Sequence, residues 1–328
     1  MNSKIKTVLG PLVLVALLTI SRYLFPYKMT FITEIAIYAL FVMGNNILYG
    51  YLGMVSFGQP FYLSIGAWTS AIFLAYLGHN PIAALLLGVV AGVIVGLVLG
   101  PSFIRLRGDY FALINAALCA IGVFVFEKLL MGVTRGEDGL WFRTEMSRVR
   151  LLDIRLPQNF FFFVMIIFFI VLALYSHMNN SVLGSSFKAM KVNERKMRFL
   201  GFDTFRIRWI GFILASALSS LSGSLYALNF GFVNPSLGEN HRAADVLVAT
   251  LLGGSGTVYG PFFGSLAFLG IKDLVSRWIT RWELVVGIIT LIVMFRFSKG
   301  IWGGIHSLSG RILKRNGKPT VQDGRRQI

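Results

Sequence analysis

Charge is what this chain lacks. Residues 35–104 contain no Asp, Glu, Lys or Arg, and only 14% of the 328 residues are charged. Soluble domains carry about 25%. Each charge at the centre of a membrane helix costs roughly 2.5–3.5 kcal/mol on insertion scales, so this run reads as consecutive bilayer passes. Cysteine is almost missing: Cys119 stands alone in an apolar stretch. That excludes an intrachain disulfide and a metal centre built on thiolates. The four histidines (His79, His177, His241 and His306) are scattered. There is no G-x-x-x-x-G-K-[ST], H-E-x-x-H or G-x-S-x-G motif, which removes P-loop nucleotide binding and two common hydrolase sites. An intramembrane hydrolase would rest on Gly254-Ser255-Gly256 alone, and no histidine pairs with it.

What is present is apolar. Hydrophobic residues make up 55% of the chain, and its mean hydropathy is +0.71. The fold class is therefore all-α and polytopic, with about ten transmembrane segments including a Gly-broken pair of short helices. The net charge of +17 does not point to nucleic acid, because the basic residues gather in loops and the C-terminal tail. That placement suits membrane orientation and anionic lipid headgroups. Lys4 and Lys6 precede an apolar run over 7–20 with no small-x-small cleavage site after it. We read it as an uncleaved first span with its basic end inside. Further spans are expected near 31–50, 61–78, 81–103, 110–131, 159–177, 209–230, 243–272 (the broken pair) and 283–299. The membrane domain is 1–310, followed by a basic tail over 311–328.

Residues 184–208 break the apolar pattern. They hold seven Lys or Arg against Glu194 and Asp203, between uncharged segments 159–176 and 209–238. Six crossings from an inside start place this segment inside, where the positive-inside rule wants it. The loop 133–158 falls outside with five Arg against four acids. The tail returns inside only if 243–272 is a hairpin, so both termini are expected in the cytoplasm.

Two glycine series stand out. Gly88, Gly92, Gly96 and Gly100 recur on one helix face, a spacing that lets helices approach closely, and we read them as packing. Gly253, Gly254, Gly256 and Gly260, with Pro261 following, interrupt a helix. Broken backbone at membrane depth either packs against protein or lines a translocation path. Asn45, Asn46, Ser56, Gln59 and Asn115 are polar residues inside spans. Each serves either as glue between helices or as a contact along that path. Glu127, Lys128, Asp245, Lys272 and Asp273 fall near span ends and read as interfacial charges, not a proton relay.

Five motifs then occur in order. GMVSFGQ (53–59) is followed by IGAW (65–68), LRGDYFA covers 106–112, and RGEDGL covers 135–140. AMKVNE (189–194) with Leu200-Gly201 comes next, and LGGSGTVYGP spans 252–261. Together they resemble the LivM-type permease subunit of ATP-binding-cassette importers for branched-chain amino acids, a broader family that includes urea and amide permeases. Ala120 stands where that family often has an acid. The resemblance implies a bacterial or archaeal cytoplasmic membrane protein and no enzyme. Its partners would be a homologous second permease, two cytosolic ATPases and an extracytoplasmic solute-binding protein. No cofactor is expected on this chain, since ATP and Mg would sit in the ATPases. Residues 184–208 would then be the coupling helix. Lys188, Lys191, Asn193, Glu194 and Arg195 would set its register, Leu200-Gly201 would close it, and Glu194 would face a basic ATPase partner. Phe187, Met190, Met197, Phe199 and Leu200 would supply apolar anchors. The bland alternative is a basic loop held by lipid headgroups. A stand-alone secondary transporter or channel is the competing function; it would need an internal repeat or a mid-span charge, and neither is evident.

Overall fold

The computed structural model describes residues 10–16, 18–19, 28–106, 108–142, 156–278, 284–285, 287–288, 291 and 300–304. Helix α1 (Met29–Asn46) continues through a wider π-helical turn, Ile47–Tyr51. α2 (Gln59–Ile72) runs on through Phe73–Leu77 in the same way, and α4 (Asp109–Phe124) through Val125–Leu129; between them lies α3 (Pro81–Phe103). Strand β1 (Leu140–Trp141) precedes α5 (Pro157–Asn179), α6 (Val182–Phe199) and α7 (Thr204–Phe230). Strand β2 (Phe232–Val233) pairs antiparallel with β1. Two shorter helices follow, α8 (Asn240–Gly253) and α9 (Gly260–Ser276). Proline opens α2, α3 and α5 in the first turn, where its missing N–H costs nothing.

Six helices are long and apolar enough to cross a bilayer: α1, α2 and α4 with their π turns, and α3, α5 and α7. The architecture is that of a polytopic helical membrane protein. The sequence expectation of about ten segments is met by six among the described residues. α8 and α9 have 14 and 17 residues, too few to cross singly when about 20 are needed. The first expected span is only partly described, and 283–299 lies mostly outside the described residues.

Contacts between the connections fix the relative direction of the spans. At one end the Tyr51 hydroxyl donates to Asn179 Oδ1 at 2.9 Å, and Arg208 donates to the Ile104 carbonyl at 3.3 Å. At the other end the Tyr76 hydroxyl donates to the Val133 carbonyl at 3.0 Å, and β1 meets β2. Consecutive spans therefore alternate in direction. α6 belongs to the first end and the β1–β2 pair to the second. α8 starts and α9 finishes beside Glu34, near the start of α1, so the two short helices enter and leave at the β1–β2 end as a hairpin.

α7 is the central helix, packed on α1, α2 and α3. The glycine series of α3 lies against a matching serine series of α7. A Cβ on Gly88, Gly92 or Gly96 would come within 2.1–2.2 Å of the hydroxyls of Ser224, Ser220 and Ser216. Only glycine permits that approach, and close backbone packing replaces the missing hydrophobic drive between helices in lipid. The outward faces of α3, α4 and α5 expose Leu86, Val98, Leu113, Ile121, Ile166 and Leu174. An apolar belt of this extent fits hydrocarbon and would be a liability in water.

Candidate functional site

The Gly-broken hairpin is tied to α1 by two asparagine amides. Between α8 and α9 the chain turns through residues 254–259, with Gly254 at φ +109° and Gly256 at φ +76°. These are conformations that glycine adopts without steric penalty. Asn46, fully buried near the end of α1, receives this turn. Its Oδ1 accepts from Gly256 N at 2.8 Å, and its Nδ2 donates to the Thr257 carbonyl at 3.0 Å and the Tyr175 hydroxyl at 2.8 Å. Asn45, one residue earlier, donates to Thr250 Oγ1 at 2.8 Å. Both amides therefore tie α1 to the hairpin. The two short helices then cross in near contact, because a Cβ on Gly253 would lie 1.9 Å from the Gly260 carbonyl oxygen.

Ser56, Gln59 and Asn115 form a separate buried group. Ser56 Oγ accepts from Gly58 N at 3.3 Å, Gln59 Oε1 accepts from Ser219 of α7, and Asn115 Nδ2 donates to the Phe111 carbonyl at 2.7 Å. A Cβ on Gly58 would touch the Asn115 amide at 2.6 Å. The structure thus divides the polar span residues into a hairpin cluster and an α2–α4–α7 cluster.

α6 is bent. Ser181 caps its start, accepting from Gly184 N at 3.3 Å. At Asn193 the backbone leaves the helical region (φ −160°, ψ 96°), and the Asn193 side chain caps a second arm by accepting from Lys196 N at 3.0 Å. Gly201, at φ +84°, turns the chain out of the second arm. Asp203 then caps α7, accepting from Arg206 N at 3.1 Å. Lys188 donates to Asn179 Oδ1 at 2.7 Å. Lys191 donates to the Gly50 carbonyl at 2.9 Å, closing the widened turn that follows Asn46. Burial holds the Lys191 ammonium below the usual lysine range. Gly50 in turn abuts the hairpin, since a Cβ on Gly256 would lie 2.9 Å from the Gly50 carbonyl oxygen. A continuous chain of contacts therefore runs from α6 through Gly50 to the Gly256 turn. A cleft of about 480 Å³ separates α6 from the start of α4, with Met190, Lys191, Glu194, Arg208 and Met54 on its walls.

The orientation of α6 corrects two sequence expectations. Phe187, Met190 and Met197 are buried against this chain's own helices, so they hold α6 in place and offer nothing to a partner. Apolar residues exposed on α6 and at its exit include Val182 at 82%, Val192 at 85%, Phe199 at 91% and Leu200 at 74%, and Arg195 is exposed among the last three. Glu194 has its basic partners within the chain: Arg208 of α7, in a short contact, and Arg198 at 3.2 Å. The Glu194 and Arg208 side chains are 18% and 13% exposed. Breaking a buried pair from one side costs roughly 3–5 kcal/mol, so Glu194 pins the second arm of α6 to the bundle. Not legible in the sequence were Tyr175, Asn179, Thr257 and Arg208, the partners that give Asn46, Lys188 and Glu194 their roles. Each pairing joins residues on different elements, and no motif announces which residue meets which.

Alternating spans, a Gly-broken hairpin and a helical connection exposed at one end define a polytopic membrane protein, and comparison with known proteins defines it further. The family described as "Branched-chain amino acid transport system / permease component" matches residues 28–295. The chain belongs to that family, and as a permease component it is a transporter subunit and not an enzyme. It is 25% identical to the high-affinity branched-chain amino acid transport system permease protein LivM of Salmonella typhimurium, covering 82% of this chain and 68% of the relative. It is 26% identical to LivH of Escherichia coli K12, over 81% of this chain and 91% of the relative. The autoinducer 2 import system permease protein LsrC of Yersinia pseudotuberculosis is 26% identical over 64% of this chain and 59% of its own length. No solved structure matches significantly.

Proposed function

We propose that this chain is one permease subunit of an ATP-binding-cassette importer for branched-chain or related amino acids. A second, homologous permease would complete the path, two cytosolic ATPases would drive it, and an extracytoplasmic protein would deliver the solute. The observation that carries the reading is α6: a bent helix held to the bundle by Lys191 and Glu194, presenting Val192, Phe199 and Leu200 outward. Exposed apolar residues in a connection between spans suit a protein partner, and rigid attachment lets that partner's motion reach the Gly256 turn through Gly50. The pairing of LivM-like and LivH-like relatives supports a two-permease assembly. In cells lacking the chain, ATP-dependent uptake of radiolabelled leucine, isoleucine and valine should be lost and return with the gene. Uptake that is unchanged by its loss would end this reading.

The proposed orientation places α6 and both termini in the cytoplasm and the β1–β2 pair outside, at a bacterial or archaeal inner membrane. The basic excess of 184–208 supports it. Arg143, a convenient labelling site in the outer loop, lies outside the described residues; Asp138 is described and exposed. In a Cys119→Ala background, Asp138→Cys should react with an impermeant maleimide on intact cells, whereas Lys196→Cys should react only after lysis. The reverse pattern would invert the topology.

A further inference from the structure

At the end of the bundle opposite α6, a cavity of about 60 Å³ lies between α1, α7, α8 and α9. Four charged side chains line it: Glu34 of α1, Arg242 and Asp245 of α8, and Lys272 of α9. Two are acids and two are bases, so the wall offers charges of both signs. Two further polar groups on the wall, the Tyr38 hydroxyl and the Asn229 Nδ2, are buried without a hydrogen-bond partner among the described residues. Buried donors are normally satisfied, and each exception calls for an explanation.

The geometry keeps these groups in place. The Tyr38 ring stacks on Phe268 with centroids 5.7 Å apart. Arg242 donates from Nε to the Ser236 carbonyl at 3.2 Å, and its guanidinium lies 5.9 Å over the Tyr226 ring. Among the described residues its terminal nitrogens make no hydrogen bond, which leaves them for a planar acceptor, the geometry in which arginine recognises carboxylates. Ser222 adds nothing, since its hydroxyl donates to the Ile37 carbonyl at 2.7 Å. Phe41, Leu63, Phe268 and Leu269 make the rest of the wall apolar.

We propose that this cavity binds the head group of a zwitterionic, aliphatic α-amino acid. Its carboxylate would accept from Arg242, Asn229 and Tyr38, its ammonium would face Glu34 and Asp245, and its side chain would lie along the apolar wall. A simple anion would meet two acids, and a simple cation two bases. An uncharged apolar solute would leave both buried donors unsatisfied. At about 10–15 Å³ per water-sized site, the enclosed volume suits an ammonium, an α-carbon and a carboxylate, with the side chain toward the mouth. The inference rests on the importer reading and deepens it by assigning a substrate contact to the outer half of this chain. It also gives Asp245 a role beyond that of a charge at a span end.

The test is equilibrium binding of tritiated leucine to the complete permease–ATPase complex in nanodiscs, without the solute-binding protein. Competitors are unlabelled leucine, 3-methylbutylamine and 4-methylpentanoate, the last two each lacking one charged group. Leucine should compete, and the two half-molecules should each be at least 100-fold weaker. Asn229→Leu and Tyr38→Phe should each weaken leucine at least fivefold, with assembly of each complex checked by ATPase co-purification. Tyr38→Phe removes only a hydroxyl and keeps the ring, so it remains informative if Asn229→Leu does not assemble. Half-molecules that compete as well as leucine, or unchanged leucine binding in Tyr38→Phe, would leave a purely structural ion cluster and overturn the proposal while the importer reading stands. A wild-type complex that transports no amino acid would overturn both.

Discussion

Gly256→Leu is expected to abolish leucine uptake while the variant remains in the membrane at normal levels. Gly256 sits at φ +76°, a left-handed conformation that costs an L-residue roughly 1–2 kcal/mol. Its amide is held by the Asn46 side chain at 2.8 Å, and a Cβ there would press on the Gly50 carbonyl at 2.9 Å. The added side chain would therefore push apart the two surfaces through which α6 reaches the hairpin. The packing of α7 on α2 and on the α3 glycine series lies away from this turn. Gly270→Ala is the matched control: it lies in α9, and a Cβ there meets nothing within 4 Å. Uptake should be normal in Gly270→Ala and absent in Gly256→Leu, with both blotted for membrane levels. Normal uptake by Gly256→Leu would remove the hairpin turn from the mechanism.

The second large effect is expected on the exposed edge of α6. Phe199 and Leu200 are 91% and 74% exposed, so replacing both with aspartate removes almost no packing within this chain and should leave its stability unchanged. Apolar anchors at the centre of an interface commonly contribute 2 kcal/mol or more each. The double variant should therefore lose ATPase co-purification by a factor on the order of 100 or more, using about 1.4 kcal/mol per tenfold. A lipid-bound loop would behave differently, because its attraction comes from Lys and Arg. Glu194→Lys does not separate these readings cleanly. Its effect would arise first from the broken contact with Arg208, which releases the second arm of α6 before any partner is involved. Thermal unfolding of the isolated chain should accordingly fall in Glu194→Lys and stay unchanged in the Phe199→Asp, Leu200→Asp variant.

Much of this architecture was legible because lipid imposes simple rules. The uncharged run over 35–104 announces spans, since charge is costly there, and the structure places most of α1 and all of α2 and α3 in it. The four-residue spacing of Gly88, Gly92 and Gly96 marks a contact face, although the serine series of α7 that meets it has no sequence signal linking the two. The break at 253–256 was legible from glycine and proline alone. The clamp on it was not, because an asparagine inside a span looks the same whether it bonds a neighbouring helix or a solute. The face of α6 was misjudged for a related reason. Phe187, Met190 and Met197 carry the helical spacing of an amphipathic stripe, and that stripe does bury itself, but against this chain. The bend at Asn193 turns the second arm, and no local propensity distinguishes a capping asparagine from one on a helix surface until its partner, Lys196 N, is in place.

The claim that α6 is the seat of an ATPase is tested most directly by photocrosslinking from its exposed end. With p-benzoylphenylalanine at position 200 in cells carrying the whole transport system, irradiation should join this chain to a cytosolic ATPase subunit. The same probe in place of the buried Phe187 should give no such adduct. Crosslinks from position 200 that reach only lipid, or the same ATPase adduct from both positions, would contradict the account.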